Sequence, residues 1–177
     1  MVHIPVNHRL RPLYRFLAGL AGLYVLIFGI VGVVRSNDLD FFQRDGLPWV
    51  LGLRTNMAFS VLSILAGAVI LLGAVIGGNL DHFINIGVGA VFVVAGMTML
   101  VVMATDANFL GFTVKTCIVS FVIGMVLFTA GLYGKVGTAA DAAVEERFRH
   151  GTQADPVNHS WADHETGDAA TASERFA

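Results

Sequence analysis

Charged residues are scarce in this chain: only 14% of its 177 residues are Asp, Glu, Lys or Arg. Soluble domains carry about 25% charged residues. Hydrophobic residues make up 55%, and the mean hydropathy is +0.71. A soluble core of a chain this short cannot bury so much apolar surface. The composition therefore predicts an integral membrane protein in contact with the lipid bilayer.

Cysteine is almost absent too, which excludes an intrachain disulfide bond, because Cys117 is the sole cysteine. Its apolar neighbours indicate a packing residue rather than a reactive thiol. The chain also lacks a basic stripe with interleaved aromatic residues, and this argues against nucleic acid as a partner.

Four apolar runs are each long enough to cross a hydrocarbon core, which takes about 20 residues. They predict an all-α, four-helix transmembrane bundle with helices over about 16–34, 57–76, 83–104 and 116–133, within a transmembrane domain of residues 16–135. Residues 1–15 precede it. Residues 136–177 are polar, and their eight acidic residues and three arginines give a net charge of −5. That composition predicts a mostly disordered acidic tail.

The distribution of Lys and Arg near the helix ends predicts the orientation. With four spans, the side that holds both termini has six (Arg9, Arg11, Arg15, Lys135, Arg147 and Arg149), and the other side has four (Arg35, Arg44, Arg54 and Lys115). We therefore expect a multi-pass protein of the plasma (inner) membrane with both termini in the cytoplasm.

The four predicted spans contain no Asp, Glu, Lys, Arg, His or Pro. Ion-coupled transporters use charge within the membrane, and transporter half-helices are often interrupted by proline. Without a histidine inside a span, haem between the helices has no axial ligand. The GxSxG and HExxH signatures are missing as well. We predict a protein that is not an enzyme and has no cofactor and no metal ion.

Small residues recur every seven positions in all four predicted helices, a spacing that keeps one face aligned along a helix crossing. These seam residues are Gly22, Gly29, Ser60, Gly67, Ala74, Gly89, Gly96, Cys117, Gly124 and Gly131. They predict close helix packing within the bundle, and the alternative is that one seam faces another copy or a partner protein.

The stretch GGNLDHFINIG (77–87) separates the second and third spans. Glycines suit the end of a helix, and Asn79 or Asp81 suits the cap of the next. We therefore interpret Asp81 and His82 as a loop cap. The alternative is a ligand or proton role for this pair, although a metal site needs three or four ligands.

The loop before the second span mixes acids, arginines and aromatic residues, and Trp49 suits an anchor at the membrane interface. We interpret this loop as an interfacial cap on the bundle. The alternative is a docking surface made of Trp49, Arg54, Asp106 and Asn108, since the third loop lies on the same side.

Several motifs resemble a family of small four-helix membrane proteins of actinobacteria whose activity is not established: LYRFLAGLAGLYVLIFGIVGV, GLPWVLGLRTN, GGNLDHFINIGVG, TDANFLGF and FTAGLYGKVG. The resemblance covers residues 10–137. It implies an integral membrane protein and supplies no catalytic residues. A more distant likeness, in helix count and glycine content, is to DoxX-type membrane proteins.

Taken together, these features predict a non-enzymatic accessory or scaffold subunit that packs as a homo-oligomer or in a larger membrane complex. The alternative is a small oligomeric channel or carrier for a neutral or lipidic solute. A third hypothesis is an enzyme or redox component that uses Asp81, His82 or Asp106.

Overall fold

The structure, a computed structural model, describes residues 10–137. Four helices run in order, with a short β-hairpin after the first. Their bounds are α1 Arg11–Arg35, β1 Trp49–Val50, β2 Leu53–Arg54, α2 Met57–Ile76, α3 Gly78–Val102 and α4 Val114–Tyr133. Each helix is long and apolar enough to cross a membrane. The predicted four-helix bundle is confirmed, while the predicted tail, from residue 138 onward, lies outside the described residues.

Two helices begin earlier than the hydropathy of the sequence predicts. Helix α1 begins at Arg11 with a proline at its start, where the ring's fixed φ suits a helix. Helix α3 begins at Gly78, directly after Gly77, whose positive φ of 73° ends α2 and reverses the chain within one residue. The early starts add four ionisable side chains that lie outside the predicted spans: Arg11 and Arg15 in α1, and Asp81 and His82 in α3.

Helices α1 and α2 form one tightly packed pair, in which their backbones approach each other at the small residues. A Cβ atom on Gly67 would stand 2.5 Å from the Leu26 amide nitrogen, and one on Gly29 would stand 2.7 Å from the Ser60 carbonyl oxygen. Real Cβ atoms do not approach other atoms so closely, and only glycine fits at these two positions.

Helices α3 and α4 form the second pair, with the same kind of contact. A Cβ atom on Gly89 would stand 2.7 Å from the Phe128 amide nitrogen, and one on Gly131 would stand 2.7 Å from the Ile86 amide nitrogen. All ten seam residues lie in contacts within these two pairs, with Ala74 half-buried opposite Gly19. The seams are therefore used inside the chain, and they are not free to bind another molecule.

The β-hairpin packs against the helices with one of its two faces. Val50 and Leu53 pack against Phe28 of α1, and the Tyr24 hydroxyl donates a hydrogen bond of 3.4 Å to the carbonyl oxygen at the tip, Leu51. Tyr24 lies near the middle of α1, so the hairpin lies along the side of this helix, and Leu51 and Gly52 at its tip are exposed. Alternation along the two strands places one apolar residue of each strand inward. The interfacial cap stays a prediction.

Candidate functional site

The bundle has two ends, which we name by their connections. The loop end carries the connections 36–56 and 103–113, and the turn end carries Gly77, the start of α1 and the end of α4. Polar side chains gather at both ends, and an apolar groove lies between them on one side.

At the turn end, three polar residues of α3 are buried: Asp81, His82 and Asn85. The Asn85 amide donates a hydrogen bond of 2.7 Å to Asp81 Oδ1. His82 Nδ1 lies 2.6 Å from the Gly131 carbonyl oxygen of α4, and because a carbonyl only accepts, Nδ1 carries the proton. The His82 bond joins α3 to α4 in the interior of the bundle, whereas the Asn85–Asp81 bond lies within α3.

The predicted loop cap at Asp81 and His82 is wrong. Gly77 is the residue that precedes α3, and no side chain caps this helix. Asp81 lies inside the first turn, where its charge still meets the positive end of the helix dipole. The physical reason is the one-residue reversal at Gly77, which leaves no loop for a cap to occupy. Among residues 10–137, no three His, Cys, Asp or Glu side chains gather to hold a metal ion.

Arg15 of α1 caps the carboxyl-terminal end of α2. Its guanidinium donates hydrogen bonds to the carbonyl oxygens of Ala74 and Val75, the second at 2.6 Å. The last carbonyls of a helix lack partners within the helix, and a cation is also favoured there by the dipole. In the sequence, Arg15 served only to predict the orientation in the membrane. Its bonds to α2 depend on the packing of α1 against α2.

At the loop end, Asn56 connects three segments of the chain. Its Oδ1 accepts a hydrogen bond of 2.9 Å from the Phe59 amide and so caps α2. Its Nδ2 donates to the carbonyl oxygens of Gln43 and Phe109, at 3.0 and 2.9 Å. The sequence analysis did not single out Asn56, although an asparagine directly before an apolar run is a recognised start signal of a helix.

The four residues of the predicted docking surface take part in separate contacts, and their grouping stays a prediction. Asn108 is engaged within its own loop, where its side chain bonds to the backbone of Met103 and Phe112. Asp106 forms an exposed ion pair of 2.8 Å with Arg44, and such surface pairs contribute little to stability. Trp49 and Arg54 lie together on the hairpin. Among the described residues, no hydrogen bond, ion pair or ring contact joins this pair to Asp106.

An open groove of about 400 Å³ lies between α2 and α3. The two helices meet near the turn, where Ile84 packs against Gly73, and Phe112 closes the groove at the loop end. Its lips are exposed apolar side chains, among them Leu65 and Phe83 at 61% and 69% exposure. In a membrane, this groove opens sideways into the hydrocarbon of the bilayer.

The polar groups of the groove are two hydroxyls. Ser63 and Ser120 both line it. The Ser63 hydroxyl donates a hydrogen bond of 2.7 Å to the Phe59 carbonyl oxygen, which leaves its lone pairs able to accept. Both serines stand one to two turns from the helix ends at the loop side, beside the aromatic rings of Phe59 and Phe112. The groove therefore has an aromatic, weakly polar part near the loop end and an aliphatic part toward the turn.

With this geometry established, the chain was compared with known proteins. No family model, curated protein or solved structure matches it. The likeness to the actinobacterial membrane proteins and to DoxX-type proteins therefore stays a prediction from the sequence motifs, and the function is argued from the structure alone.

Proposed function

We propose that this integral membrane protein binds a lipidic ligand in the groove between α2 and α3. The observation that carries the proposal is the groove itself, an almost wholly apolar cavity of about 400 Å³ that opens toward the bilayer. Ligand sites are typically cavities of about 300–1,000 Å³ with apolar linings and a few polar groups. No chemical step is part of the proposal.

The chemistry of the lining favours a ligand with one aliphatic chain and a compact polar head. The aliphatic part of the groove suits the chain, and the hydroxyls of Ser63 and Ser120 suit a head that carries a hydroxyl or another oxygen. Lateral access means that such a ligand reaches the groove from the membrane without crossing water. This supports the lipid-carrier alternative among the functions that the sequence predicts.

The positions of the charges support the plasma membrane orientation that we propose with this function. Both termini would lie in the cytoplasm, as the excess of Lys and Arg on that side favours. The loop end, with Trp49 and the aromatic part of the groove, would then face the outer leaflet.

Blocking the groove is expected to remove the ligand without disturbing the fold. A Cβ atom on Gly87 would meet no atom within 4 Å, so Gly87→Phe places its ring in the groove. We expect labelling of α2 and α3 by a long-chain alcohol bearing a photoactivatable diazirine to fall about tenfold, which corresponds to about 1.4 kcal/mol of binding free energy. Mass spectrometry of the labelled, digested protein measures this.

Val122→Phe is the matched control, because Val122 lies on the lipid-facing side of α4 outside the groove. It adds similar apolar bulk, and we expect it to leave the labelling unchanged. Equal labelling of all lipid-facing helices, insensitive to Gly87→Phe, would show that the groove holds only passing bilayer lipid and would reject the proposal.

One observation favours the accessory or scaffold function as a second candidate. Phe41, Phe42 and Phe109 form a chain of edge-to-face ring contacts at the loop end, and all three are about half-exposed. Exposed aromatic clusters of this kind are enriched at interfaces. Affinity purification of the tagged protein in mild detergent is the test: a larger protein at stoichiometric yield, lost in Phe42→Ser, would establish this function, and particles that hold a single copy of this chain and no other protein would reject it.

A further inference from the structure

Two cationic side chains converge on one exposed tryptophan at the loop end. The Arg54 guanidinium carbon lies 5.3 Å from the centre of the Trp49 ring, and the Lys115 ammonium nitrogen lies 5.4 Å from it. Trp49 and Arg54 are directly opposite each other in the hairpin, and both face outward. Lys115 comes from the first turn of α4. Two separate elements thus bring two positive charges to the same indole.

Neither cation has an acidic partner among residues 10–137, where the Arg44–Asp106 pair is the only ion pair between side chains. Contact with a ring face is attractive for each cation separately. The two like charges still repel each other, and the amino-terminal end of α4 adds its partial positive charge. This combination raises the local potential and attracts an anion.

The depth of these residues points to the source of that anion. Lys115 lies at the edge of a predicted membrane span, and Trp49 is half-exposed beside it, as is typical of aromatic residues at the headgroup level. The hairpin packs inward through Val50 and Leu53, which leaves Trp49 and Arg54 on its outer face. Long cationic side chains at the edge of a span extend toward the headgroups, so Arg54 and Lys115 are within reach of the lipid phosphates.

We propose that Trp49, Arg54 and Lys115 form a binding site for the headgroup phosphate of an anionic phospholipid in the leaflet at the loop end. The two cations contact the phosphate, and the indole holds both of them in position and packs against the lipid. This site differs from the groove in place and in chemistry, since the groove lies between α2 and α3 and is apolar.

The test uses the full-length protein with Trp161→Phe, which leaves Trp49 as the only tryptophan of the chain. It is reconstituted into phosphatidylcholine bilayers that contain a small fraction of either brominated phosphatidylglycerol or brominated phosphatidylcholine, with bromine near the headgroup. Bromine quenches nearby tryptophan emission.

We expect stronger quenching by the anionic lipid, with each cation accounting for about a fivefold preference. Arg54→Gln with Lys115→Gln is expected to abolish the preference while quenching by brominated phosphatidylcholine persists, which shows that the protein remains inserted.

Arg35→Gln is the matched control, since it removes an exposed cation from the same end of the bundle that, unlike Arg54 and Lys115, makes no contact with the Trp49 ring among the described residues. We expect it to keep the preference. Equal quenching by the two lipids overturns the proposal. So does an equal loss in Arg35→Gln, which would indicate a diffuse surface potential. If millimolar inorganic phosphate removes the preference at constant ionic strength, the site takes free phosphate, and the lipid assignment is again overturned.

Discussion

Replacing Gly67 by alanine is expected to destabilise the protein by about 3 kcal/mol, although it adds a single methyl group. The new Cβ atom would stand 2.5 Å from the Leu26 amide nitrogen and 2.9 Å from the Gly22 carbonyl oxygen. These are backbone atoms of α1, so no side-chain rotation relieves the clash, and the two helices must separate. In lipid, helices associate largely through such close packing, and the loss is not offset by other forces.

The measurement is unfolding by SDS in mixed micelles, followed by circular dichroism, for Gly67→Ala and for Gly87→Ala. Gly87 is the matched control because it is also a glycine inside a helix, but its Cβ atom would meet nothing within 4 Å. Alanine favours a helix over glycine, so we expect Gly87→Ala to be neutral or slightly stabilising. Equal stabilities of the two variants would mean that α1 and α2 do not pack as closely as the structure shows.

Replacing Asn56 by alanine is expected to lower the free energy of unfolding by a similar amount, about 3 kcal/mol. Removal of the cap on α2 accounts for about 1 kcal/mol. The rest comes from the partly buried carbonyl oxygens of Gln43 and Phe109, which lose their donor, at about 1 kcal/mol each. Asn56 itself is fully buried, so water does not readily replace the amide.

Asn56→Ser separates these two contributions. Serine is a good cap but is too short to reach both loops. We therefore expect this variant to recover only the stability that the cap contributes, about 1 kcal/mol. Hydrogen exchange in the two loops, around residues 43 and 109, should rise in both variants, while exchange at the start of α2 rises only with alanine. If loop exchange stays at the wild-type level, Asn56 does not hold the loops together.

The positions of the helices could be predicted from the sequence because the bilayer imposes a simple requirement. A span must be apolar over its whole length, and this can be read from hydropathy without any knowledge of packing. Helix α2 accordingly has the predicted bounds. The predictions failed at the starts of α1 and α3, where charged residues continue a helix beyond its apolar part. Hydropathy reports the apolar part of a helix, and the conformation of Gly77 sets where α3 begins.

The candidate sites depended much more on the tertiary structure. Asp81 and His82 were visible as an unusual pair, but their burial follows from the early start of α3 and the contact with Gly131. The grouping of Trp49 with Asp106 stays a prediction, because residues on the same side of a membrane need not be neighbours. Lys115 contacts Trp49 although the two residues are distant in sequence, and no local sequence pattern predicts this contact.

By itself, the sequence determined that this protein is a four-helix membrane protein whose helices carry small residues at regular spacing. Both properties are local, because each depends on the composition and period of one segment. Only the tertiary structure decided which seams face each other, that the hairpin packs against α1, and that α2 and α3 part to leave the groove. These features depend on pairwise fits between distant segments. In lipid every helix presents an apolar surface to all the others, so hydropathy does not indicate which helices pack together.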